Sequence, residues 1–327
     1  MDILGPLVRP LAALQPPPPG QTMLRDVRRR ALESVLADYR PRAGALEPGL
    51  AAGDEAARDR LASLATEALT VFRDRVFREA RMHPVLHAAA ALDRAWNGPT
   101  PPEHMDDPDF DEGERTRIIR ALDDFNVLVG SYATFLEALA PLFVPGGTTK
   151  VLDLASGHGG FPLALARLAK ERGLDLAITA TDLQDAYLDV GAARARAEGL
   201  AVSFRRQDAL DLSNLAGDPP DVVVCTQAIH HFPPGLVTCM FDQAARVARR
   251  GVVFVDGCRN VLHTTTVATY GLAIAGVPGF THDAVISLRR FFAIEELDLL
   301  VNLVPRATRA EASFLRPAHL RVRWSRT

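Results

Sequence analysis

Three groups of residues in this 327-residue chain have types and spacing suited to chemistry. The first is Val151-Leu152-Asp153-Leu154-Ala155-Ser156-Gly157-His158-Gly159-Gly160, an apolar run ending at a carboxylate and turning through glycines. Without a Cβ, a glycine backbone can approach a bound molecule closely. Phe161-Pro162-Leu163-Ala164 follows and reads as a helix start, with Pro in the first turn. No Gly-Lys-Ser/Thr closes the loop, so it is not a triphosphate cradle. The second group is a series of carboxylates: Asp182, Asp208 in Arg206-Gln207-Asp208-Ala209, and Asp221. Asp182 ends a strand-like run, where a carboxylate can take the hydroxyls of a ribose. The third is Thr226-Gln227-Ala228-Ile229-His230-His231-Phe232. An imidazole can accept a proton from a hydroxyl or an amine near neutral pH. His231 is the preferred general base and His230 the second choice, because neighbours in an extended segment point to opposite sides. The alternative is a pair that packs or bonds backbone.

The elements that must position these groups fall into two textures. Residues 1–147 read as helical: Met23 to Tyr39, Glu55 to Trp96 with a break at Pro84, and Glu112 to Leu142. Pro16 to Pro19 is an extended spacer, and Asn97 to Asp109 a loop rich in Pro and Asp. From residue 148 to 327, strand-like runs alternate with helical ones: Lys150 to Leu154, Ala177 to Thr181, Val202 to Arg206, Asp221 to Thr226 and Gly251 to Asp256. Such alternation implies a doubly wound α/β domain with a mostly parallel sheet. Residues 261–290 exceed a bare connection and are expected to form part of a substrate wall, and Glu311 to Leu315 and His319 to Trp324 are further strands.

The ordered set from Asp153 to His231 resembles the class I S-adenosylmethionine-dependent methyltransferases. The resemblance implies a seven-stranded sheet ending in an antiparallel hairpin, with the seventh strand between the fifth and sixth. It implies that Asp153, Ala155, Gly157, Gly159 and Gly160 wrap the methionine half of S-adenosylmethionine. Asp182 would bind the ribose, Asp208 and Ala209 the adenine, and Thr226 and Gln227 would lie beside the sulfonium; Leu183, next to Asp182, is a further cofactor-binding candidate. Ala155 stands where the family has a glycine, so the turn is expected to keep its φ negative there. A nicotinamide-binding domain is the alternative, disfavoured by GxGG spacing in place of GxGxxG. The reading is methylation of a small molecule at oxygen or nitrogen. A protein or RNA methyltransferase is one alternative, and a cofactor binder with non-methylating chemistry the other.

Composition narrows the partners. The 37 basic and 40 acidic side chains leave a net charge of −3, which argues against nucleic acid as a partner. No membrane span or signal peptide is legible, and three cysteines without CxxC spacing suggest neither disulfides nor a zinc knuckle. A cytoplasmic enzyme follows. No metal is expected, because His-His-Phe-Pro-Pro follows the fourth strand where metal-dependent relatives cluster carboxylates. Helical spacing makes Phe125 and Tyr132 core residues first and candidate substrate or cofactor cover second; the N-terminal helices read as a cap over the sheet's carboxyl edge, with a homodimer or partner interface as their other role.

Overall fold

The computed structural model describes residues 22–107, 109–259, 263–307, 309–316 and 318–326. The expected spacer at residues 16–19 lies outside them, as do positions 261 and 262. Six α-helices come first among the described elements: α1 (Arg25–Gly44), α2 (Glu47–Ala51), α3 (Glu55–Ala80), α4 (Pro84–Trp96), α5 (Glu112–Val129) and α6 (Ser131–Leu139). Helix α3 begins where Asp54 accepts a hydrogen bond from the Ala56 amide at 2.9 Å. It buries Leu61, Ala65, Phe72 and Val76 on one stripe. The expected single helix from Glu112 to Leu142 is in fact two. Gly130 takes φ +76° between them, and that left-handed turn ends α5 and starts α6.

The rest alternates: β1 (Thr149–Leu154), α7 (Gly160–Arg172), β2 (Leu176–Asp182), α8 (Asp185–Glu198), β3 (Val202–Arg206), β4 (Val222–Thr226), α9 (Pro234–Val247) and β5 (Gly251–Gly257). Then come α10 (His263–Ala268), a π-helical turn (Thr269–Ile274), α11 (Pro278–Arg290), α12 (Ile294–Asn302), β6 (Glu311–Leu315) and β7 (His319–Ser325). The strand order is β3-β2-β1-β4-β5-β7-β6. The pairs among β1 to β5 are parallel, and β7 runs antiparallel between β5 and β6. This is the mostly parallel seven-stranded sheet with a terminal hairpin that the sequence leads one to expect.

Each face of the sheet has its own cover. On one, Val35, Leu61, Phe72 and Val76 of α1 and α3 share a continuous core with Leu152 and Val223 of the sheet. The contact is close: a Cβ on Gly235 of α9 would overlap the Ala62 carbonyl of α3. On the other face, Phe135 of α6 and Phe161 and Leu165 of α7 pack on Val151, Val224 and Val253. The change of texture near residue 147 therefore falls inside a shared core. Helix α5 and the loop before it lie elsewhere, packing with α11 in a smaller cluster of Ile118, Tyr270, Phe280 and Leu288. Among the described residues, no single helix is long and apolar enough to cross a membrane.

Candidate active site

The glycine turn follows β1 at the carboxyl edge of the sheet, beside the β1–β4 crevice where the strand order reverses. Ala155 has φ +50°, contrary to the expected negative value. The turn keeps the left-handed geometry that a glycine would adopt freely, and the alanine bears the strain. Ser156 donates to the Thr181 carbonyl from both its amide (2.9 Å) and its hydroxyl (3.0 Å). The Gly157 amide donates to Asp182 Oδ2 at 2.9 Å, and a Cβ on Gly157 would meet nothing within 4 Å. A Cβ on Gly159 would press on the Phe204 ring, and one on Gly160 would overlap Asp123 and the Tyr132 hydroxyl. So one glycine faces open space and two allow neighbours to close in.

Carboxylates ring this turn. Asp153 is buried with both carboxylate oxygens unpartnered. Burial, reinforced by the charge of Asp182, pushes its carboxyl well above the usual range. Asp182 Oδ1 accepts from the Gln184 amide at 3.0 Å, and Leu183 beside it is 49% exposed. Asp208 is exposed and bonds the Leu210 amide at 2.8 Å, while Ala209 is buried. Asp221 lies at the opposite end of the sheet, where its carboxylate takes the Lys150 amide at 2.9 Å. It is a structural brace and stands apart from the other three.

Helix α5 reaches over the turn. Asp123 accepts from the Tyr132 hydroxyl at 2.8 Å and from Arg194 at 2.6 Å, and Arg194 also bonds the His158 carbonyl at 3.2 Å. Tyr132 is buried against Phe135 and Phe161 at the start of α7 and does not line the cavity described next. Asn126 exchanges amide hydrogen bonds with Gln227 at 2.9 and 3.2 Å. Gln227 follows Thr226 at the end of β4 with φ +53°, a second strained non-glycine position.

A cavity of about 330 Å³ opens there, its walls including Ile118, Leu122, Phe125, Phe280, Leu288 and Phe291. Gln227, His230 and His231 stand at its polar end. The histidines do not point to opposite sides as an extended segment would require. Residues Ile229–His231 form a 3-10 turn, and the two rings lie 4.2 Å apart with both side chains on the cavity. His230 is buried, its Nδ1 2.9–3.0 Å from the Asp256 carboxylate and its amide also bonded to Asp256. Its Nε2 has no partner. His231 Nδ1 lies 3.2 Å from Asp106, and its Nε2 4.0 Å from Glu103.

Glu103 is 2% exposed and accepts from Ser287 at 2.9 Å and Arg290 at 3.2 Å. Burial dominates its titration and pushes it up to about 7, against the pull of His231, Ser287 and Arg290. Asp106, half-buried, is held down at about 2, chiefly by its hydrogen bond with His231. Neither Glu103 nor Asp106 is legible from spacing: both lie in the Pro- and Asp-rich loop, more than a hundred residues before His231. Of the Met23–Arg42 arginines, Arg28 pairs with Asp93, Arg30 with Glu79 and Arg42 with Glu67; none lines the cavity.

A family model described as a methyltransferase domain matches residues 151–251. The chain is 27% identical to a ubiquinone biosynthesis O-methyltransferase of Methylococcus capsulatus, over 58% of this chain and 70% of that one. It is also 27% identical to a protein of the same name from Xylella fastidiosa, covering 54% of this chain and 59% of that relative's length. Among solved structures, magnesium protoporphyrin IX methyltransferase of Synechocystis aligns over 68% of this chain and 91% of its own, at 17% identity and a TM-score of 0.41. Domain match and sheet order agree: residues 151–251 match a methyltransferase domain, and the strand order is the one that the resemblance to class I S-adenosylmethionine-dependent methyltransferases implies.

Proposed function

We propose that this enzyme methylates a hydroxyl oxygen of a small, largely apolar acceptor held in the cavity between α5 and α11. The observation that carries this reading is the cavity itself, with aromatic and aliphatic walls and one polar end at the His pair. The names of the two relatives favour oxygen over nitrogen. A concave pocket with mainly apolar walls suits a small molecule better than an RNA strand, which needs an open basic surface.

The cofactor half is assigned to the glycine turn and its carboxylates. The residues fit the group. Asp153 offers two buried, unpartnered oxygens, which an ammonium would satisfy. The space over Gly157 is free for a chain lying on the turn. Asp182 retains lone pairs for ribose hydroxyls, and exposed Leu183, with Asp208 and Ala209, offers an apolar and polar edge for adenine. Thr226 and Gln227 then lie between cofactor and acceptor. When bound, S-adenosylmethionine supplies an electrophilic methyl group on sulfur.

The protein's own task is to align the acceptor and draw off its proton. Asp256 holds the His230 ring by Nδ1, so Nε2 carries the lone pair turned toward the acceptor. That favours His230 over His231 as the direct contact. The α5 helix and α11 exclude water and set acceptor shape, with Phe125 in the wall. The test is transfer of a labelled methyl group from S-adenosylmethionine to a panel of phenols and aliphatic alcohols. Label on a phenol, and none on the analogue whose hydroxyl is already methylated, is the expected result. Label found only on amines or thiols would sink the oxygen assignment.

A further inference from the structure

The polar end of the acceptor cavity holds more donor atoms than methyl transfer needs. Glu103, His230 and His231 each bring one atom to a common space, and the three atoms lie within 4.8 Å of one another. For His230 and Glu103 the other polar atom of the side chain is already hydrogen-bonded, and for His231 a carboxylate stands beside it. Asp256 takes His230 Nδ1 at 2.9 Å, Asp106 lies 3.2 Å from His231 Nδ1, and Glu103 Oε1 accepts from Ser287 and Arg290. What remains is two Nε2 lone pairs and Glu103 Oε2. His230 Nε2 has no partner although the side chain is 5% exposed. A buried acceptor left without a donor is costly and calls for an occupant.

Carboxylates behind Nδ1 are how metal-binding imidazoles are oriented and made more basic. We propose that Glu103, His230 and His231 bind a divalent first-row transition cation, placed to hold the hydroxyl oxygen of the acceptor. Two imidazoles and one carboxylate form a zinc-, iron(II)- or cobalt-type donor set, unlike the all-oxygen cages of calcium and magnesium. Bonds of about 2.0–2.2 Å would draw the three atoms inward by roughly an ångström. The formal charges around the site are three carboxylates (Glu103, Asp106, Asp256) against one guanidinium, Arg290. A dication offsets the excess. The neighbouring group His104, His282 and Asp283 does not compete, because Asp283 already accepts from the His104 and Met105 amides.

This inference rests on the reading of the cavity as the acceptor site and changes how the hydroxyl is activated. A hydroxyl on the cation loses its proton to solvent more readily. Its oxygen lone pair then forms the O–C bond as the C–S bond breaks, and that bonding pair stays on sulfur. No oxidant or reductant enters.

The full-length protein, stripped by a chelator and dialysed, is titrated with cobalt(II), read by its visible d–d absorption, and with zinc(II) in competition. One equivalent should bind. His230→Gln and Glu103→Gln should abolish that equivalent, and Asp256→Asn should weaken it by about 10–100-fold. Calorimetry with S-adenosylmethionine shows that each variant is folded. Equal cobalt binding by wild type and His230→Gln, or none by either, would overturn the proposal. So would stripped protein that transfers methyl at the full rate, which leaves the methyl-transfer reading intact. Cation bound at the triad with no methyl transfer to any hydroxyl supports the metal site and sinks the acceptor reading instead.

Discussion

Two buried charged clusters flank the exit of β5, and they differ in one respect. Arg259 bonds Asp93 at 3.0 and 3.1 Å and Glu296 at 3.0 and 3.1 Å. Arg28 joins Asp93 at 2.9 Å, and Arg73 joins Glu296 at 2.8 Å. Three residues earlier in the chain, Asp256 anchors the other cluster, His230 with His231, Asp106, Glu103 and Arg290. Both adjoin cavities of similar size, about 390 Å³ and 330 Å³. Volume therefore does not separate them. In the first cluster each carboxylate is bound by two arginines, and the network ties α1, α3 and α4 to the sheet's C-terminal helix. In the second, His230 Nε2 faces the cavity unpartnered. A closed network serves stability, and an open one is available to a ligand.

The comparison is broken first by substitution at the open cluster. His230→Gln should cut turnover by about 10²- to 10⁴-fold, measured as methyl transfer at saturating cofactor. Cofactor affinity and thermal midpoint should change little. His231→Gln should cost less, since Asp256 holds the His230 ring from behind by two contacts to Nδ1, whereas the partly exposed His231 ring has only Asp106 nearby. Retained turnover in His230→Gln would make the open cluster structural after all.

At the closed cluster the effect should appear in stability. Burial alone would raise the Glu296 carboxyl, but Arg259 and Arg73 more than reverse this and hold it far below the ordinary range. A depressed folded-state value means the stabilisation is fully present above the unfolded carboxyl value, about 4.3, and is lost as pH falls below it. Glu296→Ala leaves Arg259 half-paired in the interior and should cost about 3–5 kcal/mol, by denaturant melts at neutral pH. The difference from wild type should shrink in acid. A constant difference from pH 7 to pH 3 would mean the network contributes packing and not charge.

The cofactor half sharpens the contrast between binding and turnover. Asp182→Ala should weaken S-adenosylmethionine binding by at least roughly 10–100-fold, the worth of a single charge-assisted bond of about 1.5–3 kcal/mol. Asp221→Ala, at the far end of the sheet, should leave calorimetric affinity within about twofold, allowing that lost contacts act locally. Equal losses would place the ribose elsewhere.

The two halves were not equally legible. The glycine turn, Asp182 and Asp208 lie at strand ends, and a strand end is visible as the stop of an apolar run. Thus sheet order and cofactor side follow from local text. The acceptor side is assembled from Glu103 and Asp106 in one loop, the His pair in another and Ser287 and Arg290 on α11. No period or spacing joins them; only tertiary packing does. The same gap explains one error of detail. Tyr132, whose helical spacing reads first as core, is buried with its hydroxyl taken by Asp123 beside the glycine turn, whereas the histidines depart from expectation. His230 and His231 share a face because the chain coils into a 3-10 turn after β4, which the adjoining Pro233-Pro234 conceal from a strand-based reading.

Ala155 carries the smallest effect. Its φ of +50° costs an L-residue about 1–2 kcal/mol relative to the right-handed region. Glycine removes that cost but adds freedom to the unfolded chain, worth about 0.4–1 kcal/mol in the opposite direction. Ala155→Gly should therefore raise stability by about 0.5–1 kcal/mol, and the midpoint by roughly 1–3 °C in a chain of this size. Ser156 and Gly157 remain bonded to Thr181 and Asp182, so the turn keeps its path and cofactor affinity should stay within about twofold. A lower midpoint would mean that alanine does not occupy the left-handed region. A higher midpoint with affinity reduced tenfold would show that the strained alanine itself keeps the turn shaped for the cofactor, so the cofactor half too would carry a cost in stability for its function.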